Sequence, residues 1–217
     1  MTTAPNILFS RDGAIARIVL NRPDAGNAIS IPLAKEMMDA AIQCDEDESI
    51  RCVILAGAGR MFCAGGDIGG FREAGPRAGY YLKEITAYMH NAVARLARMP
   101  KPLVTAVHGP AAGAGVSLAI LGDIVLATPA AHFTMAYTAI GLTPDGGASW
   151  LLPRVVGMRK AQEFILTNRR VGAEEAVSIG LATRLVAPEA LEEETQKLAE
   201  QLAAGATGAL GRSRALL

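Results

Sequence analysis

Cysteine and histidine are scarce in this sequence, which limits the sites it can form. The 217 residues contain three cysteines and three histidines. No pair of them has metal-ligand spacing, and Cys44, Cys52 and Cys63 form no redox-like pair. An odd, sparse set of cysteines is typical of a reducing compartment, so we expect a cytoplasmic protein without a metal.

Excess charge and long apolar runs are missing as well. Lys plus Arg and Asp plus Glu number 21 each, and this balance argues against a general polyanion binder. The longest apolar run, 109–122, is shorter than the ~20 residues that a membrane span needs. Residues 1–5 lack the basic start and apolar core of a signal peptide. We therefore expect neither nucleic acid nor a membrane as a partner.

Apolar residues, by contrast, make up 51 % of the chain, which predicts one domain with a sizeable core. Strand patterns cover residues 7–10, 14–20, 51–56, 103–107, 123–128 and 132–135. Helical patterns cover residues 30–45, 80–99, 116–121, 148–152, 158–166, 173–179 and 188–203. Strands that alternate with helices indicate an α/β domain with an at least partly parallel sheet.

Two loops of small residues each connect a buried strand to a helix. They are 57–70 and 109–115, and neither has the spacing of a P-loop or of a dinucleotide fingerprint. Such loops can expose backbone N–H groups to an anion or a developing oxyanion. The alternative is that the glycines only allow close packing of strands and helices.

Five stretches together resemble the crotonase (enoyl-CoA hydratase/isomerase) superfamily. They are LNRPDAGNAIS (20–30), LAGAGRMFCAGGDI (55–68), the loop-and-strand segment 100–128, the segment 132–171, and EEAVSIGLATRLV (174–186). The resemblance implies an α/β fold that is a crotonase-like spiral of ββα units, assembled as a homotrimer or a dimer of trimers. It implies a core domain over 1–205, followed at 206–217 by the incomplete start of a C-terminal helical segment.

The resemblance also implies the chemistry. Family members bind acyl-CoA thioesters, with coenzyme A as part of the substrate and no separate cofactor, and stabilise a thioester enolate. The oxyanion donors implied are the backbone N–H groups of Gly66 and Ala114. Preorganised donors of this kind supply several kcal/mol when negative charge develops on an oxygen.

Further residues match the family's coenzyme A contacts. Ala64, Asp67 and Ile68 correspond to residues at the adenine end of the cofactor. Arg22 and Ala25 lie where the family often touches coenzyme A, although a solvated surface arginine is an equal alternative for Arg22.

The family's hydratases carry two glutamates that this chain lacks. The matching positions are Ser117 and Tyr137. Because syn addition of water needs a base and an acid around one water molecule, we expect little or no hydratase activity. Tyr137 is expected to line the acyl pocket instead.

Asp145 is the remaining acid/base candidate. Its context, PDGG at 144–147, resembles double-bond-shifting and ring-opening isomerases of phenylacetate catabolism, which implies an aspartate that moves a proton from the α-carbon to the γ-carbon. The alternative is an N-cap of the short helix that follows. Trp150, within that helix, is expected in the core.

A related resemblance, to aryl-CoA dehalogenases, gives another alternative. There the matching aspartate attacks the aromatic ring and a histidine at the place of His90 activates water; thioester hydrolysis is a related possibility. This chain differs from those enzymes at Met89, Tyr137 and Gly66. His90 on its own is more typical of a surface or packed helix histidine, and Cys63 has no convincing base beside it in the sequence that would make it a nucleophile.

A non-enzymatic class is also represented among crotonase relatives. Some bind RNA, and others keep the oligomer without activity. The zero net charge argues against RNA binding. A scaffold without activity would show no rise in melting temperature with any acyl-CoA.

Overall fold

The computed structural model describes residues 4–217, so the first three residues of the segment 1–5 lie outside the described residues. The strands are Ile7–Asp12 (β1), Ile15–Leu20 (β2), Cys52–Gly57 (β3), Leu103–Val107 (β4), Ala111–Ala112 (β5), Ile124–Ala127 (β6), His132–Thr134 (β7), Val171–Gly172 (β8) and Arg184–Leu185 (β9). The α-helices are Ile31–Glu46 (α1), Ile68–Ala74 (α2), Ala78–Arg98 (α3), Ala114–Ala119 (α4), Ala148–Val156 (α5), Met158–Thr167 (α6), Ala173–Ser178 (α7), Leu191–Ala204 (α8) and Thr207–Leu216 (α9).

The strands form two sheets. The larger has the order β1-β2-β3-β4-β6-β9, in which β1 and β2 are antiparallel and every later pair is parallel. The smaller has the order β5-β7-β8. The predicted α/β domain with a partly parallel sheet is therefore confirmed.

Apolar layers cover both faces of the larger sheet, as a parallel sheet requires. Alternate residues of β3 face opposite layers: Val53 and Leu55 pack with α1 and α3, whereas Ile54 packs with α8. This two-sided burial explains why β3 is a continuous apolar run in the sequence and why β4 is apolar except for the buried Thr105. The site lies on the side of α3, beyond the carboxyl ends of these strands.

Most element predictions are confirmed, with local corrections. Ser30 caps α1 as its position suggests, because its Oγ accepts from the Leu33 N–H. The first glycine-rich loop is shorter than predicted, since α2 begins at Ile68 and Asp67 caps it. The two-residue strands β5, β8 and β9 had no clear signal in the sequence, whereas the helix α9 lies in the segment 206–217 for which the resemblance implied helical structure.

Trp150 is not a core residue, contrary to expectation. It is 54 % exposed, and the Arg154 guanidinium lies 3.7 Å from its ring centroid. The buried face of α5 consists of Ala148, Leu152 and Val156, four residues apart. Trp150 lies two residues after Ala148, so its side chain points to the opposite, exposed side of the helix.

Candidate functional site

The two glycine-rich loops lie side by side. The Ala112 N–H donates to the Cys63 carbonyl at 2.9 Å, and the Cys63 N–H donates to the Pro110 carbonyl at 3.3 Å. A Cβ on Gly115 would overlap the Cys63 carbonyl. The second loop therefore approaches the first as closely as backbone atoms allow, which brings Gly66 and Ala114 to one cavity.

Gly65 fixes the spacing between the loops. Its φ of +92° favours glycine, and a Cβ there would lie 2.7 Å from the Ala112 carbonyl oxygen and 3.3 Å from the Ala114 nitrogen. Among the described residues, neither the Gly66 nor the Ala114 N–H has a hydrogen-bond acceptor. Both donors thus remain available to a bound oxygen atom.

Asn27 holds the first loop in place, a role that sequence reasoning missed. The side chain is buried and its φ is +58°. Its Nδ2 donates to the carbonyls of Ala58 and Met61, at 2.8 Å each, and its Oδ1 accepts from the Arg22 N–H. The one sequence signal for this role is the residue type, because asparagine adopts a left-handed backbone conformation more readily than most residues.

The cavity between α2, α3 and α4 has a volume of about 230 Å³. Its walls are mainly apolar, with Phe71, Ile85 and Met89 among them, and Ala64 and Ile68 also line it. Among the described residues that line it, Asp145 is the single carboxylate and His90 the single imidazole. Phe71 and Ile85 were not identified from the sequence, because an apolar residue on a cavity wall has the same pattern as one in the core.

Asp145 does not cap α5, so the capping alternative is wrong. Gly147, with φ +83°, occupies the N-cap position, and the helix has no side-chain cap. The Asp145 carboxylate instead has two side-chain partners. Tyr137 donates its hydroxyl to Oδ1 at 2.6 Å, and His90 Nε2 lies 3.0 Å from Oδ2.

Ser117 extends this network. Its Oγ donates to the Asp145 backbone carbonyl at 3.0 Å and lies 3.2 Å from the Tyr137 hydroxyl. The residues that stand where hydratases carry glutamates thus both contact Asp145. Ser117 and Tyr137 are therefore neutral hydrogen-bond donors to Asp145, whereas glutamates at these two positions would add two more carboxylic acids.

The protonation states follow from these contacts. Burial raises the pKa of Asp145, but the hydrogen bonds from His90 and Tyr137 outweigh it and bring the pKa below its ordinary value. The hydrogen bond to Asp145 raises the pKa of His90. Burial, with the nearby Asp145 charge, raises the pKa of Tyr137, which keeps its hydroxyl protonated as a donor. Asp145 is therefore ionised at neutral pH.

Only some of the residues that match coenzyme A contacts line the cavity: Ala64 and Ile68 do, whereas Arg22, Ala25 and Asp67 do not. Arg22 Nη1 is 2.9 Å from Asp67 Oδ2 and also donates to the Ala28 carbonyl. The pair lines a separate surface pocket, and Ala25 is exposed in the short 3-10 helix Pro23–Ala25. Arg22 is thus tied to this loop rather than freely solvated, while its part in binding stays a prediction.

The remaining candidates have structural partners. The Cys63 thiol is buried, and burial raises its pKa to about 12, which makes a nucleophilic thiolate unfavourable. His108 Nε2 lies 2.9 Å from the Gly59 carbonyl oxygen.

Within residues 4–217, no cluster of three or more potential metal-ligating side chains occurs. In the same range, no helix is both long and apolar enough to cross a bilayer.

Comparison with known proteins gives matches along most of the chain. Residues 10–212 match the family model described as enoyl-CoA hydratase/isomerase. The chain is 38 % identical over 207 residues to 1,2-epoxyphenylacetyl-CoA isomerase of Escherichia coli (strain K12), covering 94 % of this chain and 79 % of the relative. It is 35 % identical over 206 residues to 4-chlorobenzoyl coenzyme A dehalogenase-2 of an Arthrobacter species, covering 93 % and 74 %. The crystal structure of an enoyl-CoA hydratase from Mycobacterium smegmatis superimposes with a TM-score of 0.90 at 34 % identity, covering 98 % and 82 %.

Proposed function

Because the chain belongs to the enoyl-CoA hydratase/isomerase family and has its crotonase fold, we propose that it is an enoyl-CoA isomerase acting on acyl-CoA thioesters. One observation carries this proposal: Asp145 is the single carboxylate among the described residues that line the cavity. A double-bond shift needs one group that acts first as base and then as acid. A relative that shares 38 % of its residues is named as an isomerase of a CoA ester, which supports the same class.

The reaction proceeds through a dienolate. Asp145 removes a proton from the α-carbon of a 3-enoyl-CoA, and the electron pair of that C–H bond moves into the thioester carbonyl. The Gly66 and Ala114 N–H groups donate to the resulting oxyanion, because neither has a hydrogen-bond acceptor among the described residues. Asp145 then gives a proton to the γ-carbon, and the double bond forms between the α- and β-carbons.

Hydration of the double bond fits this site poorly. It needs an acid and a base on one water molecule, but Ser117 and Tyr137 are already engaged with Asp145 and with each other. The raised pKa of Tyr137 makes it a weak acid toward substrate as well. We therefore expect slow hydration of crotonyl-CoA, and fast hydration would contradict the assignment.

The substitution Asp145→Asn tests the proton-transfer role. The amide is isosteric with the carboxylate but is not a base, so we expect conversion of 3-enoyl-CoA to 2-enoyl-CoA to fall by about 10²–10⁴-fold. The matched control is Asp39→Asn on the exposed side of α1, outside the cavity, which should leave the rate unchanged. Isomerisation by Asp145→Asn at the wild-type rate would refute the mechanism.

A second candidate is an aryl-CoA dehalogenase, which the His90–Asp145 contact favours. An aspartate that attacks an aromatic ring needs a neighbouring base to activate the water that releases it, and His90 lies 3.0 Å from Asp145. A 4-chlorobenzoyl coenzyme A dehalogenase is among the relatives, at 35 % identity. Release of chloride from 4-chlorobenzoyl-CoA, measured against the isomerase rate of the same preparation, discriminates between the two reactions.

A further inference from the structure

The two partners of the Asp145 carboxylate differ in their access to solvent. Tyr137, on Oδ1, is only 7 % exposed, and burial raises the pKa of its hydroxyl. His90, on Oδ2, has 47 % of its side chain exposed. One oxygen of the carboxylate is therefore held by a buried donor that stays protonated, and the other by an imidazole in contact with water.

The same pair also separates two cavities. His90 and Asp145 line the acyl cavity and, together with Gly146, a second cavity of about 720 Å³ between α3, α5 and α9. The second cavity includes Trp150, which is itself exposed. A proton on His90 thus has a route away from the acyl group that does not cross the apolar walls of the first cavity.

We propose that His90 is a proton-exchange residue, which replaces the proton taken from the α-carbon with one from water before Asp145 protonates the γ-carbon. This inference rests on the proposed isomerase function. In the dienolate state the neutral imidazole, in the tautomer with its proton on Nδ1, accepts the proton of Asp145 Oδ2 at Nε2, which restores the carboxylate. The exposed imidazolium exchanges its N–H protons with water and returns one to Asp145. One substrate proton leaves and one solvent proton arrives, so the reaction stays balanced without another reactant.

Isomerisation in D₂O measures this exchange directly. The 2-enoyl-CoA product is collected at low conversion, and its deuterium content at the γ-carbon is compared for wild type, His90→Gln and Asn91→Gln. Glutamine keeps an N–H donor for Asp145 but does not ionise near neutral pH, so we expect the γ-deuterium content to fall by about tenfold. Asn91 is the exposed neighbour on α3, and its substitution should leave the wild-type content.

The outcomes separate positioning from exchange. If His90 only orients Asp145, glutamine preserves both the rate and the γ-deuterium content, and the inference is overturned. Product without γ-deuterium in the wild type overturns it too, while the isomerase assignment survives. His90→Asn, a shorter amide, repeats the measurement should His90→Gln have a lowered melting temperature.

A saturated substrate keeps the test independent of the proposed function. Butanoyl-CoA has no double bond to move, so exchange of its α-protons with D₂O, followed by NMR, needs only Asp145, the oxyanion donors and His90. If the wild type fails to isomerise 3-enoyl-CoA but exchanges these protons, and His90→Gln slows that exchange, His90 retains its role and the isomerase assignment fails. Absence of α-exchange in the wild type overturns the role of His90.

Discussion

The hydrogen bond from Tyr137 to Asp145 can be tested by Tyr137→Phe, which removes one oxygen and leaves the packed ring. That hydroxyl lies 2.6 Å from Oδ1. Hydrogen bonds to charged groups contribute about 1.5–3 kcal/mol. The Asp145 side chain is 35 % exposed, so water competes for the carboxylate, and we take a reduced value of about 1–1.5 kcal/mol.

This free energy sets the expected pH shift. One pKa unit corresponds to about 1.4 kcal/mol, so loss of the donor should raise the pKa of Asp145 by about one unit. Asp145 acts as a base only when ionised, and Tyr137 helps to hold its pKa below the ordinary value. Activity is therefore lost as pH falls through that pKa, and in Tyr137→Phe the loss begins at a pH about one unit higher.

The assay is the pH profile of kcat/KM for isomerisation, which reports ionisations of the free enzyme. Near neutral pH Asp145 stays ionised in Tyr137→Phe, and kcat/KM should change by less than about tenfold. The carboxylate is then a stronger base, but it is less well oriented. Asp39→Asn serves again as the control, since Asp39 is exposed on α1 and is not among the residues that line the cavity. An acidic limb that stays in place or moves to lower pH in Tyr137→Phe would refute the reasoning.

Other predictions concern the loops, the core and the assembly. Gly65→Ala places a Cβ at φ +92° against backbone atoms, so we expect the free energy of unfolding, measured in urea, to fall by about 2–5 kcal/mol. The control is Gly79→Ala in α3, where a Cβ meets open space and the free energy of unfolding should not fall. Lys101→Met leaves three carbonyls near the end of α1 without their buried ammonium donor, and it should cost about 2–4 kcal/mol without changing the rate per folded molecule. Lys35→Met, which removes only a surface ion pair, should cost less than about 1 kcal/mol, and equal losses in the two lysine variants would contradict this argument. Sedimentation equilibrium should give the mass of three or six chains, and a monomer would refute the proposed trimeric assembly.

Regular, buried elements could be predicted from the sequence almost to the residue. β4 is observed at Leu103–Val107 as expected, because a strand buried on both faces is a mainly apolar run, here interrupted only by the buried Thr105. The helix α2 was missed because Gly69 and Gly70 lower its helical propensity. Asp67, as its N-cap, compensates by accepting from the Gly70 N–H.

The candidate site could be predicted only in part. Gly66 and Ala114 were identified through the resemblance, and both residues line one cavity in the structure. The resemblance assigned His90 and Tyr137 to the same site as Asp145, but their hydrogen bonds to its carboxylate could not be predicted, since His90 lies 55 positions away in the chain and local sequence favours a cap. The difference is physical: caps are local contacts, whereas the state of a carboxylate depends on whichever distant side chains the fold brings to it.

Tyr137 and Asp145 therefore depend on each other. A glutamate at position 137, the hydratase residue, would place a second carboxylate beside Asp145, where Tyr137 now donates at 2.6 Å. Two carboxylates at that separation do not both ionise at neutral pH, so the pair would share one proton and Asp145 would lose the neutral donor that keeps it ionised. The neutral donor Tyr137 therefore keeps Asp145 ionised as the single carboxylate of the described cavity lining, and Tyr137→Glu should lower the isomerisation rate without creating a hydratase.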